Sequence, residues 1–447
     1  MATIIALVFL FVSLVNIWRA VAAPGILNIF AAVIGVFSIG YFQLPIFFID
    51  RTPMRSLQPD VVASVVWMAL LFHLCVLAGL EIARSRVRSL PVLRLPALDD
   101  VMAAHWWVAT MVGAAAYLAF VLNVETTAYA AQDADRFFVN RPLYGAALAS
   151  FAGLGLATLA VGIATAVRRR RWPATLAAVA ALGAIELIVI GRGQRLIFVT
   201  PLFAVFAAFA AQRRYRAAAL GILIGTAALV LVSPFAVMLR EAKATDRAAT
   251  AASVGYDLGA APGAALLQSL LDRADALEVA TVLKDEVDRH GHVGARYYYS
   301  VLVIPVPRAL YPGKPAVLSD TGTADGEASV LAWQLRKGDS LGSLTAFGFI
   351  VAYREGGWPV VIVNGIAAGV LFGVLLLGLG RGGFVAQCLF TVALVNWGVR
   401  KVPPSFWEAM VDVMTYLPLL AALALLNAAL SRRSARGRAF AALPAIP

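Results

Sequence analysis

The chain has 447 residues, 61% of them apolar and 14% charged, with a mean hydropathy of +0.82 and a formal net charge of +12. Soluble domains run about 45–50% apolar and about 25% charged, so a water-soluble globular protein, a disordered chain and a coiled coil are excluded. The basic excess falls in short clusters between apolar runs, which argues against a nucleic-acid partner and for a polytopic membrane protein.

A membrane span needs about 20 mostly apolar residues, and about eleven runs qualify: 2–18, 25–49, 61–82, 102–123, 143–167, 173–190, 196–212, 217–239, 357–380, 384–399 and 407–430. The first run has no positive segment ahead of it and is expected to be a span, not a cleaved leader. Arginine clusters follow the third, fifth, seventh, ninth and eleventh runs: Arg84, Arg86, Arg88 and Arg94; Arg168 to Arg171; Arg213, Arg214 and Arg216; Arg381; and Arg432, Arg433, Arg436 and Arg438. One orientation satisfies every cluster, with these loops and the C-terminus cytoplasmic and the N-terminus outside. The expected fold is an all-α polytopic integral membrane protein. An N-terminal bundle of about eight spans covers 1–239 and a folded periplasmic loop covers 240–341. About three further spans cover 342–431, and a basic cytoplasmic tail covers 432–447.

Within the first bundle, Cys75 and Cys388 (the latter in a later span) sit in apolar runs with no metal-ligand spacing, as small core residues do. His73 falls inside a span and His105 precedes a Trp-Trp pair; both suit structural roles. Arg51, Arg55, Arg136 and Arg141 lie on the side that this topology should deplete of cations, where arginine suits phosphate or carboxylate recognition. Gly191-Arg-Gly-Gln-Arg195 joins two spans with almost no loop, pinning Arg192 and Arg195 at the outer boundary. That is either a clamp for a lipid-linked phosphate or pyrophosphate, or a turn whose arginines snorkel to headgroups. Glu186, earlier in the same span, is either a counter-ion to an arginine or a catalytic group.

The 240–341 segment holds 11 basic and 13 acidic residues, near enough to neutral for a translocated loop, which the charge rule exempts. Residues 264–289 are expected to form an amphipathic helix. Leu267, Leu270, Leu271, Ala274 and Leu277 form one face and Asp272, Asp275, Glu278, Asp285 and Glu286 the other. It would lie across the outer face of the bundle or in the membrane interface. His290 and His292 flank Gly291; two imidazoles without a third ligand make a weak metal site, proton transfer is an alternative, and plain helix-end polarity is the favoured reading. Tyr297 to Tyr299 fit an aromatic belt, and Pro305, Pro307, Pro312 and Pro315 break any helix there. Arg308, Lys314 and Arg336 are the loop's candidate substrate cations. Asp320, Asp325 and Glu327 lie between them as general-base candidates or salt-bridge partners. Finally, Ser343 to Trp358 leads Arg354 and Glu355 to the outer mouth of a span whose Gly365, Gly369 and Gly373 favour close helix packing.

Four of these features resemble the Wzy-type O-antigen and oligosaccharide repeat-unit polymerases, polytopic GT-C-like glycosyltransferases. They are the Gly-Arg-Gly-Gln-Arg turn at 191–195 ahead of a span and the large external loop before the last spans. To these add Ile304-Pro-Val-Pro-Arg-Ala-Leu-Tyr-Pro-Gly-Lys-Pro315, and Ser343-Leu-Thr with Tyr353 and Gly356-Gly357 entering a glycine-rich span. The likeness covers about 173–380. It implies a bacterial inner-membrane enzyme of polysaccharide and lipopolysaccharide biosynthesis that needs no cofactor or metal. Its substrates would be polyprenyl-pyrophosphate-linked oligosaccharides at the periplasmic face, with membrane lipid around it and a chain-length regulator as a further partner. Under that resemblance Arg192, Arg195 and then Arg354 neutralise the leaving pyrophosphate. Arg308 and Arg336 hold pyrophosphate or acceptor sugars. Glu355, Asp320 or His290 takes the acceptor's proton. The related O-antigen ligases are the first alternative, although His290 and His292 sit mid-loop rather than near its end. A transporter or flippase of lipid-linked solutes is the second, although its charges should lie near the midplane of a pseudo-symmetric bundle.

Overall fold

The computed structural model of the chain describes residues 1–48, 58–86, 94–128, 142–190, 195–227, 275–292, 294, 347–400 and 402–441. Every regular element among them is helical. In chain order they are α1 (Ala2–Ala22), α2 (Ile26–Ser38), α3 (Pro59–Arg86), α4 (Pro96–Ala104), α5 (Trp106–Ala128), α6 (Pro142–Arg168), α7 (Trp172–Ile190), α8 (Arg195–Ala211), α9 (Tyr215–Ala227), α10 (Asp275–His290), α11 (Gly348–Leu379), α12 (Phe384–Leu394) and α13 (Phe406–Ala441). Three of them open on a proline, whose fixed φ and missing N–H suit a first helical position. The α2 helix continues through a π-turn at Ile39–Gln43 into Leu44–Phe47. Pro45 has no N–H for the regular bond, and the turn widens around it.

Among the described residues, four helices are long and apolar enough to cross a membrane: Ala2–Ala22, Ile26–Phe47, Pro59–Arg86 and Gly348–Leu379. Two bent pairs raise that to six, and shorter apolar helices lie at Gly153–Arg168, Trp172–Ile188, Thr200–Ala211, Tyr215–Ala227 and Phe384–Val399. This is an α-helical membrane protein. The expected span at 102–123 differs in detail: the chain bends by 88° between Ala104 and Trp106, so the apolar rod starts at Trp106. The cause is α4, which is held sideways. Leu95 and Leu98 pack on Val385 and Leu389, and Asp99 accepts the Val385 N–H at 3.0 Å, capping α12. At α13 the run Ser405-Phe-Trp-Glu408 makes a capping box, with Ser405 N–H donating to Glu408 at 2.7 Å and Glu408 N–H to the Ser405 hydroxyl at 3.2 Å.

The tightest pairing is between α3 and α11, which run parallel. A Cβ on Gly365 would meet Cys75 and Phe72, one on Gly369 would strike the Val76 carbonyl, and one on Gly373 would strike Ala83. Gly79 answers from α3, its own Cβ position lying against the Ile366 carbonyl and Gly369. Bare backbones thus touch over three turns, the close approach that small residues at four-residue spacing permit.

A chain of contacts gathers the described arginine clusters at one end of the bundle. Arg19 and Arg84 both pair with Glu81, and Arg84 donates to Asn28 at the start of α2. Gly380, just past α11, meets Ile26. The next residue, Arg381, lies with Arg213 close enough to Tyr215 for both charges to act on it. Gln212 donates to Thr165 near the end of α6, and Arg169 donates to the Ala103 carbonyl and lies over Trp106. Leu98 N–H reaches Asn427 of α13, a turn before Arg432. We call this the basic end.

His73, Cys75 and Cys388 are buried and structural in setting. His73 bonds the Asn16 amide at 3.1 Å and meets the Phe9 ring edge-on. Glu186 is buried in α7 beside the Tyr117 hydroxyl.

Candidate functional site at the fold-back mouth

The most sharply built feature lies at the other end. The α11 helix is broken at Gly356 and Gly357, and Gly357 has φ +75° and ψ −158°, a conformation that only glycine takes without strain. Two contacts show how far the chain turns. Gly348, on the first arm, packs against Pro404 and Ser405, while Asn364, on the second, accepts the Phe406 N–H at 2.7 Å. Sixteen residues of unbroken helix would separate those positions by about 24 Å, yet they touch neighbouring residues. The arm 348–355 therefore folds back beside the arm 358–379, and the second arm alone is long enough to span. Aromatic packing fixes the first arm at depth: Phe347 meets Phe42 at 4.5 Å and Tyr41 at 5.4 Å between ring centroids.

This hairpin lifts Tyr353, Arg354 and Glu355 to its turn. Arg354 is half-buried and Glu355 is buried. The loop helix α10 lies against Tyr353, packed on α3, α11 and the π-turn. Its inner face is Leu277, Ala280, Leu283 and Val287, the helical repeat that buries one stripe. Polar contacts then lock it. Tyr353 donates to Asp288 at 2.6 Å, Lys284 donates to the other Asp288 oxygen at 2.5 Å, and the Lys284 ammonium sits 5.4 Å over the Tyr353 ring. His292 meets the Tyr353 ring edge-on at 5.5 Å, and Trp358 meets it at 5.9 Å. A Cβ on Gly357 would lie 3.1 Å from the His292 ring nitrogen.

Burial pushes the Asp288 carboxyl up, but the bonds from Lys284 and Tyr353 and the positive charges of Lys284 and His292 outweigh it. The net result is a value below the ordinary one. A depressed carboxylate stabilises the docked helix at every pH above its unfolded value of about 3.9, and that contribution fades as pH falls through the lower folded value. Asp288 is partly solvated, so Tyr353→Phe should cost about 1 kcal/mol. Hydrogen exchange should detect this as faster opening of 275–290 at pH 7. The difference from wild type should close in stronger acid, and unchanged exchange at pH 7 would show that the bond does not hold the helix.

Arg354 and Glu355 come together at the mouth. His290 does not join them: it lies exposed at the end of α10 and pairs with Glu286 at 2.9 Å. Its neighbour His292 takes the place against Tyr353. Arg195 opens α8, but its side chain lies outside the described residues. So do Arg136, Arg141, Arg192, Arg308, Lys314, Asp320 and Arg336. The helix expected over 264–289 is described from Asp275 to His290, and its earlier part also lies outside the described residues. Sequence reasoning missed Lys284 and Asp288. Their i, i+4 spacing was the available signal, and nothing in the spacing pointed to Tyr353 as the group that completes the lock.

Chemically, the mouth offers a guanidinium fork, a buried carboxylate, an imidazole and two aromatic rings within a few residues of a backbone break. No protein-family model, no curated protein and no solved structure matches the chain.

Proposed function

We propose that the chain is a bacterial inner-membrane glycosyltransferase that joins polyprenyl-pyrophosphate-linked oligosaccharide units, a repeat-unit polymerase. One observation carries the reading: the Arg354-Glu355 pair sits on a folded-back arm beneath a loop helix, at the bundle end opposite the arginine clusters. Positive clusters mark the cytoplasmic side, so the mouth faces the periplasm, with about eleven spans between the two faces. Lipid-linked units presented there would meet the half-buried Arg354 cation, with the Glu355 carboxylate buried one residue on.

The reaction follows from those groups. An acceptor hydroxyl oxygen attacks the anomeric carbon of the donor sugar, and the carbon–oxygen bond to pyrophosphate breaks. The hydroxyl proton passes to a carboxylate, with Glu355 as the first candidate and Asp320 as the loop's. The charge that develops on the departing polyprenyl pyrophosphate is neutralised by Arg354 together with Arg192 and Arg195, a preorganised set of donors. Arg308, Lys314, Arg336, Arg136 and Arg141 hold the remaining phosphate and sugar groups.

A host strain lacking the chain tests this in cells. Its surface glycan should fall to single repeat units. Wild-type protein should restore long chains and Arg192→Ala with Arg195→Ala should not. Long chains in the deletion strain would defeat the proposal, and long chains with the double variant would remove those two arginines from it.

A further inference from the structure

We propose that the groove between α1, α2 and α3 at the basic end is a binding site for the phosphate of an anionic phospholipid. The groove is lined by Asn16, Arg19, Asn28, Leu80, Glu81 and Arg84. Arg19 and Arg84 enter it from different helices and grip the two oxygens of Glu81, at 2.8 and 3.2 Å. The other terminal nitrogen of Arg84 donates to Asn28 at 2.6 Å, and the Asn28 amide is itself anchored on the Ala23 carbonyl at 2.6 Å. The Arg84 guanidinium is thereby held at two points before any ligand arrives, and Arg19 is tethered to the same carboxylate at one.

Two guanidinium groups against one carboxylate leave the cluster with a net positive charge. Each guanidinium carries five N–H donors, more than these bonds use. Their side chains are 44% and 41% exposed, so an anion can reach them. A phosphate is the shape that such forks take bidentately. The rest of the groove selects an amphiphile over a soluble anion. Its floor is apolar, with Leu27, Leu77 and Leu80. Alongside, α1 turns Trp18 outward at 68% exposure, with Val15 and Val21, and α3 turns out Ile82. A tryptophan level with the arginines marks the headgroup depth, and the aliphatic row beside it gives acyl chains a surface. The site lies in the leaflet opposite the proposed reaction and does not depend on that reading.

Native mass spectrometry of the full chain, with phosphatidylglycerol or phosphatidylcholine added, tests the assignment. The wild type should retain phosphatidylglycerol preferentially, and glycerol phosphate at equal concentration should not displace it. Arg19→Gln and Arg84→Gln should each lower that preference about fivefold, while Arg216→Gln, which removes the same charge at the same end, should leave it intact. Equal losses from all three would mean diffuse attraction and overturn the site, as would displacement by glycerol phosphate. Arg19→Lys and Arg84→Lys guard against misfolding of the glutamine variants. They keep the charge but lose the fork, so the preference should shrink, and an undiminished preference there would overturn the bidentate arrangement.

Discussion

Arg354→Ala is expected to lower the rate of glycan elongation by about two to three orders of magnitude while leaving the fold intact. That is the loss typical of removing one preorganised donor from a developing negative charge. The residue sits on the folded-back arm one position from Glu355, with Gly356-Gly357 immediately beyond, so truncation removes charge without touching the break itself. Arg354→Lys should recover only part of the rate, since an ammonium supplies a point charge and no fork. Single-turnover elongation with purified variants separates this from a binding defect. The maximal rate should drop for Arg354→Ala, and a change confined to apparent affinity would make the residue a binding group and nothing more. Glu355→Gln should be as damaging if its carboxylate takes the proton, with the loss persisting at raised pH.

The largest structural effect is expected at Gly369. Its Cβ position is occupied by the Val76 carbonyl and by Gly79, both backbone, so no rotamer change can make room. Gly369→Leu should cost about 3 kcal/mol or more, the upper end of overpacking penalties, and thermal unfolding in detergent should shift down sharply or yield no folded protein. Gly183→Ala is the matched control. Nothing lies within 4 Å of its Cβ position, and removing a mid-helix glycine should stabilise by about 0.5–1 kcal/mol. If both substitutions behave alike, the α3–α11 contact is not the closely packed seam described.

Hydropathy and arginine spacing made the helical membrane class legible, because both are local properties of a chain that must satisfy its backbone inside lipid. The glycine run at 365–373 was equally legible, since small residues at four-residue spacing have one strong use. The hairpin at Gly356-Gly357 was not. A glycine pair signals freedom, but the direction of the turn is set by Ser405 and Phe406, some fifty residues away in sequence. The bend after Ala104 was hidden for the same reason: Asp99 serves α12, nearly three hundred residues later. At the mouth, Arg354 and Glu355 were visible as charges beside a span. The sequence puts His290 forward over His292, yet which imidazole meets Tyr353 depends on how the chain leaves α10 through Gly291, at φ +89°. Periodicity carries no information about that exit.

Elongation by the purified chain in proteoliposomes supplied with polyprenyl-pyrophosphate-linked oligosaccharide decides whether the protein is a polymerase. A repeat-unit polymerase yields a ladder of longer lipid-linked glycans with release of polyprenyl pyrophosphate, and Arg354→Ala loses the ladder. Substrate that crosses the vesicle membrane without ever gaining a second unit would contradict that assignment.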